Sequence, residues 1–308
     1  MSSDTPAPDS TAALDATEEL RKRIDTTKAH PARVYDVFLG GKDNYPADRE
    51  AAAMALAANP RGYLTVRHNR DFVRRAVTLA AKEGIRQFLD VGTGLPTQQN
   101  VHETVQAIAP DARVVYVDND PVVLVHAQAL LTSGPEGRTD YIEADLRDPA
   151  KILEAARRTL DLDRPVALVL AAVLHFIEDE EAYPIVRQLL DALAPGSYLV
   201  LSNVSSDLNT EQVGQVTKAF KERGFAMVRR SHAQVGRFVT DNGLEMLDPG
   251  TVAVHRWRPE QVVDLPESRN PDAEFVAGLD ELDRTRYRGI NDVTDADVSV
   301  YGVMARKP

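Results

Sequence analysis

Three aspartates stand where an apolar run gives way to a polar turn: Asp90 in "FLDVGTG", Asp118 in "VVYVDND" and Asp145 in "EADL". Asp118 follows Gly92 by 26 residues, and Asp145 follows Asp118 by 27. A carboxylate at the second position can take two hydrogen bonds from ribose hydroxyls. One at the third can accept from the exocyclic amine of an adenine. Asp90 lies two residues before Gly92, in a glycine loop of the kind that elsewhere cradles phosphate. A fixed negative charge has no use beside a pyrophosphate, but it would stabilise a cationic amino group. Gly92 and Gly94 are present, yet Thr97 stands where a G-x-G-x-x-G dinucleotide fingerprint needs its third glycine. S-adenosylmethionine has an ammonium, a carboxylate and a sulfonium but no phosphate. The loop therefore suits that cofactor better than NAD, with Thr93, Asn119 and Leu146 as neighbours of the three acids.

Positioning three acids in this way requires strands that end on one edge. From residue 85 the chain alternates strand and helix: "IRQFLDV", "ARVVYVDND", "DYIEADLRDP", "PVALVLAAV" and "SYLVLSNVS" read as five strands with short helical crossovers. That rhythm implies a parallel sheet with helices on both faces, binding its ligand at the carboxyl ends of the strands. Asp120-Pro121 and Asp148-Pro149 are N-cap and first-turn pairs, and Ser231 with Gln234 predicts a capping box. "GLEMLDPGTVAVHRW" and "VSVYGVMARKP" read as two closing strands. Before residue 85 the pattern is helical. "ARVYDVFLGG" stops at Gly40 and Gly41, "PADREAAAMALAANP" opens on Pro46, and "RDFVRRAVTLAAKEG" carries Phe72, Val73, Ala76, Val77 and Ala80 on one face. Residues 1–18 read as a disordered leader without a secretion signal.

These stretches resemble the class I S-adenosylmethionine-dependent methyltransferases, and in particular a bacterial S-adenosyl methyltransferase family formerly labelled a domain of unknown function. The resemblance rests on "ARVYDVFLGGKDNYPADRE", "QFLDVGTGLPTQQNVHE", "RVVYVDNDPVVLVHA", "EADLRDP", "APGSYLVLSNVSSD", "GLEMLDPGTVAVHRWRP" and the ending "YGVMARKP". It implies an α/β, Rossmann-like fold with a seven-stranded, mostly parallel sheet, an antiparallel last hairpin and an N-terminal helical lid. The expected division is a lid segment at 19–84 and a cofactor-binding methyltransferase domain at 85–308. Pro96 departs from the broad superfamily's glycine but fits the narrower family.

Several residues have two readings. "GGKDNY" (Gly40 to Tyr45) serves equally as a helix stop and turn, while the resemblance makes Lys42, Asp43, Asn44 and Tyr45 a lid near the methionyl end of the cofactor. Arg67, Asn69 and Arg70 fit a solvated helix face; Arg70 is the candidate for a bidentate grip on a carboxylate. His175, after the fourth strand, is either a packed strand-exit histidine or a general base beside the methyl acceptor. Asn203, Arg237 and Phe238 are candidates for contacting the substrate.

Bulk composition narrows the function classes. A formal charge of −11 lacks the basic face that a nucleic-acid partner needs, and with no cysteine there is no thiol nucleophile and no iron–sulfur or zinc–thiolate site. The remaining histidines, His30, His68, His102, His126, His232 and His255, show no metal-ligand spacing, so no metal is expected. The most apolar stretch, "VALVLAAVLHFI", is too short to span a bilayer. A cytoplasmic bacterial protein with a small-molecule methyl acceptor is the expectation. The alternatives are an NAD(P)-dependent oxidoreductase and a non-catalytic protein that binds S-adenosylmethionine.

Overall fold

A computed structural model describes residues 24–96, 100–130, 133–260 and 293–308. The leader expected at 1–18 and Thr97 lie outside them. Five parallel strands form the centre: β1 (Gln87–Val91), β2 (Arg113–Asp118), β3 (Arg138–Glu143), β4 (Ala167–Ala171) and β5 (Tyr198–Val204). Their order is β3-β2-β1-β4-β5, which places the reversal of strand order between β1 and β4. β8 (Val300–Arg306) closes the sheet antiparallel to β5, with Ser202 opposite Gly302.

The hairpin partner of β8 differs from the single strand expected. It is divided into β6 (Glu245–Met246) and β7 (Val252–Ala253), which pair with opposite ends of β8. The chain between them turns at Asp248-Pro249-Gly250, and the proline has no N–H to extend a ladder. The described sheet thus has eight strands where seven were expected.

Long apolar runs such as "ALVLA" are buried along their length because helices cover both faces of the sheet. One face is covered by α6 (Pro149–Ala156), α7 (Asp179–Asp191) and α9 (His232–Thr240). The other is covered by α3 (Gly62–Lys82), α4 (Val101–Gln106) and α5 (Pro121–Leu130). The predicted stripe of α3 is buried at Phe72, Ala76, Val77 and Ala80, and α3 packs across β4, β5 and β8. The caps also form as read. Asp120 accepts from the Val122 amide at 2.9 Å, Asp148 from Lys151 at 3.1 Å, and Ser231 and Gln234 exchange hydrogen bonds.

A third apolar cluster lies apart from the sheet. Here α1 (Pro31–Leu39) and α2 (Pro46–Ala58) pack on α8 (Thr210–Glu222), burying Val34, Phe38, Ala51, Ala52, Ala55 and Phe220 together with Val66 of α3. The cap is therefore built from segments far apart in the sequence, 31–58 and 210–222, while α3 joins it to the sheet. The short α10 (Asp295–Val298) packs against α3.

Candidate functional site

The carboxyl ends of β1, β2 and β4 open into a cavity of about 200 Å³, roofed by His30 to Ala32 and Tyr35 of α1 and its N-terminus. Asp90, Gly92, Thr93, Gly94, Asp118, Asn119, Asp145, Leu146 and Arg70 all line it. These nine sequence-predicted residues are brought together although they span four separate segments.

The loop after β1 is shaped by its glycines. Gly92 has φ +78°, and a Cβ built on it would meet Val173 side-chain carbons at 2.5 and 2.6 Å. The β1 and β4 exits thus approach too closely for any side chain there. Gly94 has φ +69° but open space around it, so only its backbone conformation calls for glycine. The Gly94 amide donates to Asp118 Oδ2 at 2.8 Å, and the Asp120 amide donates to Asp118 Oδ1 at 3.0 Å. Each Asp118 oxygen is oriented in this way and keeps accepting capacity.

Asp90 is buried at the base of the cavity. Burial raises its carboxyl to about 7; the charge of Arg70 works against the shift and that of Asp118 adds to it. Asp118 is also raised, chiefly by burial, with its two backbone hydrogen bonds opposing. A buried acid poised in this way is stabilised as an anion by a cation placed beside it. Asp145 is different: its side chain is 44% exposed at the rim, and Oδ1 accepts from the Arg147 amide at 2.8 Å.

The roof is held down by charges that the sequence motifs did not single out. His30 Nδ1 lies 3.0 Å and Arg33 Nε 3.3 Å from Asp120 Oδ2, two residues beyond Asp118. Burial alone would raise Asp120, but nearby His30 and Arg33 and the Val122 amide outweigh it and hold the carboxyl below its ordinary value. Asp48 of α2 adds a bond from the His30 amide at 2.8 Å.

Lys42, Asn44 and Tyr45 are not among the residues lining this cavity. The "GGKDNY" turn is organised around Asp36, which accepts from Asn44 Nδ2 at 2.8 Å and from the Asp43 amide at 3.1 Å. Tyr45 stands at the start of α2 and packs with Leu95, Val122 and Val123. The physical reason is that Asp36 is buried in α1 and draws the turn's donors to itself.

Beyond β4 the chain turns through Ala172 at φ +55°, a left-handed conformation uncommon for a residue with a Cβ. Its amide is fixed by Ser202, through the carbonyl at 3.2 Å and Oγ at 3.0 Å. A single 3₁₀ turn, Leu174–Phe176, follows and places His175 against the cavity. His175 is buried, Nδ1 has no hydrogen-bond partner, and burial with the nearby Arg230 charge lowers the imidazole to about 3.

Arg230 holds this turn in place, and no motif announced it. It is fully buried and donates to the carbonyls of Leu174 and Ile177, to Asn203 Oδ1 and to Asp179 Oδ1, each at 2.8 Å. Asn203 therefore faces Arg230 and the backbone of Val204 and Val228 rather than a cavity. Phe238 packs in the core against Tyr183 and Arg230. Arg237 is 52% exposed and pairs with Asp241 one helical turn on, at 3.0 Å. None of the three lines the cavity. In α9 the capping box and helical period turn Phe238 inward and Arg237 outward, away from the strand ends.

Residues 17–308 match the family described as S-adenosyl methyltransferase. The chain belongs to that family. Among solved structures it is similar to a DUF574 family protein from Streptomyces avermitilis, at 47% identity and a TM-score of 0.80, covering 93% of this chain and 100% of that one. It is also similar to a protein of Thermobifida fusca described as a candidate methyltransferase, at 35% identity and a TM-score of 0.76, covering 92% and 96%. No curated protein matches. The chain is an S-adenosylmethionine-dependent methyltransferase with the Rossmann-like fold, and S-adenosylhomocysteine is its product. The methyltransferase has no helix, among the described residues, long and apolar enough to cross a membrane, and no group of three or more His, Cys, Asp or Glu placed to hold a metal.

Proposed function

We propose that the methyltransferase modifies a small-molecule acceptor, with its cofactor held across the ends of β1, β2 and β3. Asp90 carries this reading, because a buried carboxyl raised to about 7 calls for a cation and the cofactor's ammonium supplies one. Gly92 to Gly94 present backbone where side chains would block the methionyl chain. Asp118, held by two amides, has acceptor capacity left for the ribose hydroxyls, and Asp145 and Leu146 at the rim suit an adenine. Arg70 lines the same cavity and offers a guanidinium to the cofactor's carboxylate.

Held by Asp90, Asp118 and Arg70, S-adenosylmethionine would supply an electrophilic methyl group on its sulfonium, with the neutral thioether as the leaving group. The protein's contribution is positioning and exclusion of water under the α1 roof. His175 is held neutral far below its ordinary range, so it accepts a hydrogen bond readily but resists taking a full proton. Orienting the acceptor, rather than acting as general base, is the role this favours.

Calorimetric titration with S-adenosylmethionine, S-adenosylhomocysteine and NAD tests the cofactor assignment. Binding of the first two, weakened by at least about thirtyfold in Asp90→Ala, is the expected result, since it removes one partner of a buried charge pair. Binding unaffected by Asp90→Ala would overturn the assignment of the ammonium.

A further inference from the structure

A second chamber, of about 130 Å³, opens beside the cofactor cavity and shares Pro31, Tyr35, Ala172, His175 and Phe176 with it. Its remaining wall is contributed largely by the cap: Val34 and Phe38 of α1, Val213, Val216 and Phe220 of α8, and Phe225 after it. No described residue lining it carries a formal charge.

The polar side chains in its wall are largely engaged with protein. Tyr35 donates its hydroxyl to the Val66 carbonyl at 3.0 Å and accepts from Asn69 Nδ2 at 3.1 Å. Asn69 Oδ1 accepts from Ser202 Oγ at 2.6 Å. Thr65 donates to the Asp297 carbonyl at 3.1 Å and Ser299 to that of Ala296 at 2.7 Å. His175 is the contrast: it lines both spaces, and its Nδ1 has no hydrogen-bond partner in the protein.

We propose that this chamber is the acceptor site, and that it takes an uncharged single-ring aromatic molecule presenting one O–H or N–H to His175. The inference rests on the cofactor occupying the adjoining cavity. Its volume is close to the roughly 150 Å³ of an apolar cavity that holds one benzene ring, which suits a single-ring acceptor. The described lining residues offer no charge to offset the desolvation of a carboxylate or phosphate. The hydrogen bond to His175 fixes which atom of the ring system faces the cofactor.

The test uses the full-length protein saturated with S-adenosylhomocysteine and ligand-observed NMR with phenol, anisole, benzoate and 2-naphthol. Phenol is expected to bind, anisole about fivefold more weakly for want of a donor, and benzoate and 2-naphthol more weakly still. Val216→Trp fills the chamber from α8 and is expected to abolish phenol binding while leaving S-adenosylhomocysteine affinity within about twofold. Val216→Phe is the milder filling variant and carries the same expectation should the tryptophan not fold. In His175→Leu the preference for phenol over anisole should disappear. Phenol binding retained in both filling variants, or benzoate binding better than phenol, would overturn the proposal. Failure of S-adenosylhomocysteine itself to bind the unsubstituted protein would instead sink the cofactor assignment beneath it.

Discussion

The two adjoining spaces are built from opposite materials. The cofactor cavity is walled by strand-end carboxylates and glycine backbone, fixed by hydrogen bonds to neighbouring loop amides. The proposed acceptor chamber is walled largely by apolar side chains, with Val34, Phe38, Val216 and Phe220 of α1 and α8 packed in the third cluster. Electrostatics can select one small cofactor with several charged groups, whereas apolar packing selects by shape and size and tolerates repacking. On the proposed reading, cofactor recognition belongs to the sheet and acceptor recognition to the cap. His175 and Ala172 line both, and Arg230 secures the turn that carries His175.

Cutting the hinge between the two should have the largest effect. Arg230→Met removes four hydrogen bonds, three of them buried, and takes the guanidinium away from Asp179 and Asn203. We expect a stability loss of about 3–5 kcal/mol, read by urea unfolding. Arg230→Lys should restore little, because an ammonium cannot reach four fixed acceptors as a guanidinium fork does.

Next come the two glycines of the cofactor loop, which separate crowding from backbone conformation. Gly92→Ala suffers both the 2.5 Å approach to Val173 and a left-handed φ, while Gly94→Ala suffers only the φ. A loss of roughly 3 kcal/mol is expected for the first and about 1 kcal/mol for the second, in thermal unfolding. Equal losses would mean that Val173 moves aside freely.

The pH dependence of cofactor affinity is a smaller effect and a direct test of the electrostatic side. Only ionised Asp90 pairs with an ammonium, and its carboxyl stands at about 7 in the free protein. Affinity for S-adenosylhomocysteine should therefore rise about tenfold from pH 6 to pH 8, with proton release on binding. The free protein has the reverse dependence: its raised carboxyl binds a proton that the unfolded chain has lost, so stability falls as pH climbs from about 4 to about 7. Both trends should flatten in Asp90→Asn. An unchanged slope in that variant would assign the titration to another group, Asp118 first.

The smallest effect is expected at Arg237. Arg237→Ala breaks an exposed pair with Asp241 and should change stability by less than about 1 kcal/mol, with cofactor affinity unaltered in calorimetry. A large loss of affinity would return α9 to the site.

What the sequence determined by itself is the fold class, the strand ends and the acids on them. Asp90, Asp118 and Asp145 were readable because each lies within two residues of a strand's carboxyl end, and a parallel sheet brings successive strand ends to one edge whatever the side-chain packing. Caps at Asp120, Asp148 and Ser231 were readable for a similar reason, since their hydrogen bonds close within three residues. Only the tertiary structure decided which side chains between and beyond those ends face a cavity. Arg237 and Phe238 sit side by side in sequence, yet helical rotation sends one to solvent and the other to the core. Asn44 met a buried Asp36 before it could meet a ligand. Arg230, the His30–Arg33–Asp120 cluster and the chamber between α1 and α8 depend on contacts between residues far apart in the chain. Such contacts are set by how the cap docks on the sheet, a packing outcome with no local period or spacing to announce it.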